Sequence, residues 1–241
     1  MSTPNTTRWI GIGLLGLPLY GALTFWSSLH PQPDPNTHYE AWSRYVTTDH
    51  YVLTHVLGSI LGLILAIFGT FALGAYLTRS RAGHMGLVAM VITVLGSALF
   101  LPGMGVSAFA APEEGQAYLA GIEELDKLPP IFADTAFADT AFAVTNLLMV
   151  LLIFVGNILL GVAVWRSGVL PRWAGALWAG GAVLMYPLGI VYAATIGPAS
   201  TPPTVLVGSL LIVISGAWMA FSVLSRPSVE AVGAVAQARV R

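Results

Sequence analysis

Between Val52 and Thr78 the chain carries no charged residue except for one histidine, His55. As a helix this run of about 27 residues is roughly 40 Å long, and the hydrocarbon core of a bilayer is about 30 Å thick. In lipid every backbone N–H and C=O must be satisfied within the protein, so a stretch of this kind folds as a membrane-crossing helix. Five further apolar stretches repeat the pattern, giving expected spans at about 9–29, 52–78, 86–111, 139–165, 173–196 and 204–224. The composition agrees. Apolar residues make up 56% of the 241 and charged residues 9%, against about 25% charged in soluble domains. The expected fold is all-α: a polytopic six-helix transmembrane bundle forming one domain over 1–225, followed by a disordered tail at 226–241. Trp9 to Leu29 is too long for a usual signal-peptide core and has no A-x-A site after it, so it reads as a retained helix.

The charges set an orientation. With six alternating helices, Arg8, Arg79, Arg81, Arg166, Arg172, Arg226, Arg239 and Arg241 share one side, and only Arg44 and Lys127 take the other. The positive-inside rule then places both termini in the cytoplasm. All the acids but Glu230 fall on the outer side, which makes that face negative. The lipid bilayer is the partner this composition names. Another membrane protein is the further candidate, and a net charge of −1 argues against nucleic acid. The chain has no cysteine, so disulfides, thiolate metal sites, iron–sulfur clusters and thioether-linked haem are excluded.

At about 100° per residue, Tyr51, Gly58, Ser59, Gly62, Ala66 and Gly69 lie within about 60° of His55. The histidine face is therefore the small-residue face, and Gly58 with Gly62 allows close helix approach. Val56, Leu61, Leu63, Leu65, Ile67 and Phe68 supply the expected lipid face. Asp139, Asn146 and Asn157 share a stripe on the fourth span. Prolines interrupt the first, third and fifth spans at Pro18, Pro102 and Pro187, and the sequence Pro102-Gly-Met-Gly105 is expected to break or kink the third.

The long loops carry amphipathic patterns. After the rigid Pro31-Gln-Pro-Asp-Pro35, the residues Tyr39, Trp42, Tyr45 and Val46 recur at helical spacing, predicting a short interfacial helix with its aromatics in the headgroups. From Pro112, Tyr118, Leu119, Ile122, Leu125 and Leu128 predict a second amphipathic helix over the outer mouth. A tandem Phe-Ala-Asp-Thr-Ala follows from Phe132. Its period of five matches no helical face, and it reads as a duplication without a function. Trp165, Trp173 and Trp178 suggest an inner aromatic belt.

The ligand-pocket candidates are His55, Tyr51, Asn146, Asn157 and Tyr192, with Tyr186 as a further polar group in the outer half. Buried polar groups in an apolar helix need partners inside the bundle. Catalysis would need a buried acid–base pair, and His55 with Asp139 is the pair on offer. No cofactor is predicted. Haem and metal stay open, with Asp49 and His50 as the weak metal candidates. His50 and His55 are five apart and do not share a face.

The connector Trp165-Arg-Ser-Gly-Val-Leu-Pro-Arg-Trp173 resembles one in small bacterial multi-pass membrane proteins of unknown function, as does the six-span layout with its large second outer loop. The resemblance implies a bacterial inner-membrane location and transfers no activity or site residue. The reading that follows is a membrane protein with a non-catalytic role: a lipid- or small-molecule-binding protein, or an accessory subunit of a membrane assembly. The alternatives are an intramembrane enzyme acting on a lipid or isoprenoid-like substrate, and a small transporter.

Overall fold

The computed structural model describes residues 4–121, 136–197 and 202–225. The tail at 226–241, the Ile122–Leu128 half of the second amphipathic pattern and residues 132–135 of the first Phe-Ala-Asp-Thr-Ala copy lie outside them. The described residues form helices and turns only. Seven helices organise them: α1 (Thr6–Ser27), the short α2 (Tyr39–Val46), α3 (Asp49–Leu77), α4 (Gly83–Leu119), α5 (Ala136–Ser167), α6 (Arg172–Ile196) and α7 (Pro203–Leu224). All but α2 contain a stretch long and apolar enough to cross a membrane, so this is a multi-pass membrane protein.

Helices consecutive in sequence pack side by side: α1 on α3, then α3 on α4, α4 on α5, α5 on α6 and α6 on α7. α7 returns against α1 and closes the ring. Short connectors account for α3 beside α4, α5 beside α6 and α6 beside α7, since a few residues can only deliver the chain to an antiparallel neighbour. Small residues bring the helices close. At α4–α5, a Cβ on Gly96 would run into the Ile153 backbone, and one on Gly156 into the backbone of Thr93. With no hydrophobic drive between helices in lipid, such close van der Waals contact is what holds them together.

The two ends of the ring differ in charge. Arg8, Arg79, Arg81, Arg166 and Arg172 sit at one end, where the Arg81 guanidinium lies over Gly168 in the opposite connector. Gly168 ends α5 at φ 69°, a conformation that favours glycine. The other end carries Asp34, Glu40, Asp49, Glu113 and Glu114. The core fills the basic half. Leu14, Leu17, Leu73, Leu77, Leu160 and Met219 are wholly buried there.

Four elements differ from the sequence expectation. First, α3 is not uniformly α-helical, because Thr54–Leu61 is π-helical. The wider turn advances less than 100° per residue, so positions beyond it rotate back toward the histidine face. Leu63, expected toward lipid, is buried as a result, while Leu61 and Phe68 are exposed.

Second, α4 passes through Pro102-Gly-Met-Gly105 without a break and runs on to Leu119, taking a π turn at Val106–Ala110. Pro102 removes only one N–H, and in an apolar setting continuing the helix satisfies the rest.

Third, α2 is docked on protein. Its Ser43 and Val46 are buried against Gly115 of the α4 extension, and the Tyr39 hydroxyl donates to Glu114 Oε1 at 2.7 Å. Tyr39 also meets Tyr118 edge-on at 4.7 Å.

Fourth, Trp178 is a core residue at 2% exposure. Trp165 and Trp173 remain at the basic end, 5.1 Å apart and both 5.6 Å from the Arg172 guanidinium.

Candidate functional site

The acidic half of the ring is less filled, and the prolines explain why. α6 runs straight from Arg172 to Met185, turns at Tyr186 and resumes as Pro187–Ile196. Beyond the turn it packs only thinly, leaving Leu188, Ile190, Val191 and Ile196 exposed. α1 bends at Leu15, where Pro18 lacks the N–H that would bond back one turn. Between these helices lies a partly enclosed cavity of about 280 Å³, walled by α1, α3, α4, α6 and α7.

Its wall mixes hydroxyl-bearing and apolar side chains. The Tyr20 and Tyr186 hydroxyls face each other across the ring at 3.3 Å. Thr24, Ser27 and Ser28 continue up α1, and Ser59 comes from α3. Leu63, Phe100, Met104, Met185 and Val205 supply the apolar wall. Gly58 brings α3 against α1 here, since a Cβ on it would collide with the Ser27 side chain. The small-residue seam of α3 is therefore occupied by α1 of the same chain. Gly62, next on the seam, faces Leu23 and Tyr20.

Of the polar candidates singled out from sequence, Tyr186 lines this cavity and the others lie elsewhere. Tyr51 and His55 form one group beside the α4 π turn. The His55 Nδ1 lies 2.8 Å from the Tyr51 carbonyl, which can only accept, so Nδ1 carries the proton and Nε2 is the basic nitrogen of the neutral ring. The two rings stack at 3.9 Å. The Tyr51 hydroxyl donates to the Ser107 carbonyl at 2.9 Å, joining the start of α3 to the π turn of α4. His55 is half-buried and Tyr51 is 3% exposed.

Asn157 belongs to the packing of α5 on α6. It accepts the Trp178 indole N–H at 2.9 Å and donates to the Ile153 carbonyl at 2.8 Å. Asn146 is half-buried higher on α5, and Tyr192 is half-buried on the thinly packed end of α6. Asp139 lies on α5, with its side chain outside the described ones.

Asp49 is exposed at the first turn of α3. His50 beside it meets His30 edge-on at 4.6 Å, with a buried Nε2 that has no partner among the described residues. Among the described residues no three histidine, aspartate or glutamate side chains converge as a metal site would require.

Protein-family models, curated proteins and solved structures give no match to this chain. The connector likeness therefore extends to layout alone, and the site stands on its own geometry.

The cavity-wall residues that sequence reasoning passed over left one signal. Tyr20, Thr24 and Ser27 are spaced by four and three, a hydroxyl stripe on an otherwise apolar helix. Tyr186 stands out in the sequence as a polar group of the outer half, but its pairing with Tyr20 across 166 positions of chain leaves no local pattern.

Proposed function

We propose that this is a non-catalytic membrane protein that binds a lipophilic small molecule in the cavity between α1, α3, α4, α6 and α7. One observation carries the reading. The core cluster fills most of the basic half, where a smaller pocket of about 150 Å³ lies beside Arg79, and the acidic half holds the cavity of about 280 Å³ with an apolar wall and a few hydroxyls, the composition typical of small-molecule sites. Residues 1–225 act as one transmembrane unit in this reading, with 226–241 as a tail. Its place is a bacterial cytoplasmic membrane, with the arginine-rich end inside and the cavity in the outer half. The separation of basic and acidic side chains between the two ends supports that orientation.

A native mass spectrum of protein extracted in mild detergent from its own membrane tests the reading. The wild type is expected to carry a reproducible extra mass that is lost in the cavity-filling variants Ser59→Phe and Val205→Phe. A wild type that flies only as the bare 25.4 kDa chain contradicts it.

A second reading has one observation in its favour. His55 lies in a π-helical turn, an element that recurs at functional sites. In the enzyme reading His55 Nε2 is the base and Asp139 its partner. His55→Ala and Asp139→Asn would then each abolish turnover of a lipophilic substrate. Full native phenotype in both variants at normal abundance removes this alternative.

A further inference from the structure

Resting on the binding reading above, we infer that the cavity takes an uncharged lipophile whose head is a carbonyl oxygen, held by the Tyr20–Tyr186 hydroxyl pair. The head-group chemistry follows from the wall. No charged side chain lines the cavity among the described residues, so an ionised head would be desolvated without a counter-ion. The hydroxyls still require a polar partner. Tyr20 and Tyr186 share one hydrogen bond, and either phenol can be its donor. Two hydroxyls in a pair use one proton on each other and leave one to donate outward. Its natural acceptor is an oxygen that has lone pairs and no proton of its own to place.

The distance points the same way. The two phenolic oxygens are 3.3 Å apart, longer than the 2.5–3.0 Å usual for O–H···O, so each is poorly satisfied by the other. A carbonyl oxygen beside the pair accepts the outward proton of one phenol and, with its second lone pair, can also draw the proton that the pair shares over so long a distance. Tyr20 comes from α1 and Tyr186 from the turn of α6, so such a ligand ties together two helices that the cavity separates. The space admits a ring or a short chain segment. At about 280 Å³ it is at the small end of ligand pockets, which leaves a longer tail to run out between helices into lipid.

Ring ketones and lipid esters share this chemistry, and binding in nanodiscs distinguishes them. The probes are a decyl-substituted benzoquinone, dioctanoylglycerol and decylbenzene as a match without carbonyls. Wild type is expected to bind at least one carbonyl probe roughly three- to tenfold more tightly than decylbenzene. The better of the two carbonyl probes identifies the source. The volume-conserving pair Tyr20→Phe/Tyr186→Phe is expected to abolish that preference and leave decylbenzene binding unchanged, which also reports an intact cavity. Equal binding of all three probes by wild type overturns the inference while leaving the binding reading in place. So does a carbonyl preference that survives in the double variant. If no probe binds and the native spectrum shows a bare chain, both fail together.

Discussion

An asparagine in the middle of an apolar helix costs free energy unless both ends of its amide are used, and Asn157 uses both. Its oxygen takes the Trp178 indole proton and its nitrogen donates to Ile153, so one side chain satisfies two polar groups across the α5–α6 contact. Asn157→Leu is therefore expected to lower unfolding stability by about 1 kcal/mol, with ligand binding unchanged. Thermal unfolding in detergent, together with the native spectrum, checks both parts. That Asn157 needs a partner was legible from its apolar surroundings. The identity of the partner was not, because Trp178 read equally well as an interfacial residue until the packing of α6 buried it. Tyr20 was invisible for a related reason. One tyrosine in an apolar helix carries little information until Tyr186 is seen facing it.

At the scale of elements, apolar length and proline position located the six spans, while the two π turns had no sequence signature. Each shifts the helix register, and the shift in α3 moves Leu63 from the expected lipid side to the cavity wall. The docking of α2 on the end of α4 depends on Tyr39 donating to Glu114 and on Gly115 leaving room for Val46. Burial raises the Tyr39 phenol above its usual range, and the Glu114 carboxylate beside it adds to the lift. A raised value favours the protonated phenol in the docked state. The docking contribution should thus be complete below about pH 10, the unperturbed tyrosine value, and decline as pH rises through the higher folded value. Amide hydrogen exchange over Tyr39–Val46 is expected to stay slow at pH 8 and to quicken at pH 8 in Tyr39→Phe. Equal protection in the variant would show that Val46 and Ser43 hold α2 without the hydrogen bond.

For the whole molecule, the short connectors after Leu77 and Ser167 are legible in the sequence and imply that α3 with α4 and α5 with α6 are antiparallel hairpins, while the closed ring is not. Its closure by α7 against α1 and the uneven filling of its two halves come from side-chain volumes that no local pattern records. The orientation is directly testable because the chain lacks cysteine. With Asn36→Cys at the acidic end and Thr78→Cys at the basic end, an impermeant maleimide should label the first in intact cells and the second only after permeabilisation. The reverse pattern would invert the topology and place the cavity in the inner half.

The claim that a lipophile occupies the acidic-half cavity is tested most directly by photolabelling in proteoliposomes with a diazirine-tagged decyl ketone, followed by peptide mapping. The account predicts label concentrated on the peptides holding Phe100, Met104 and Met185, competed by untagged ketone and lost in Val205→Phe. Label spread over the exposed apolar positions such as Phe68, Leu147 and Phe221, without competition, would contradict it.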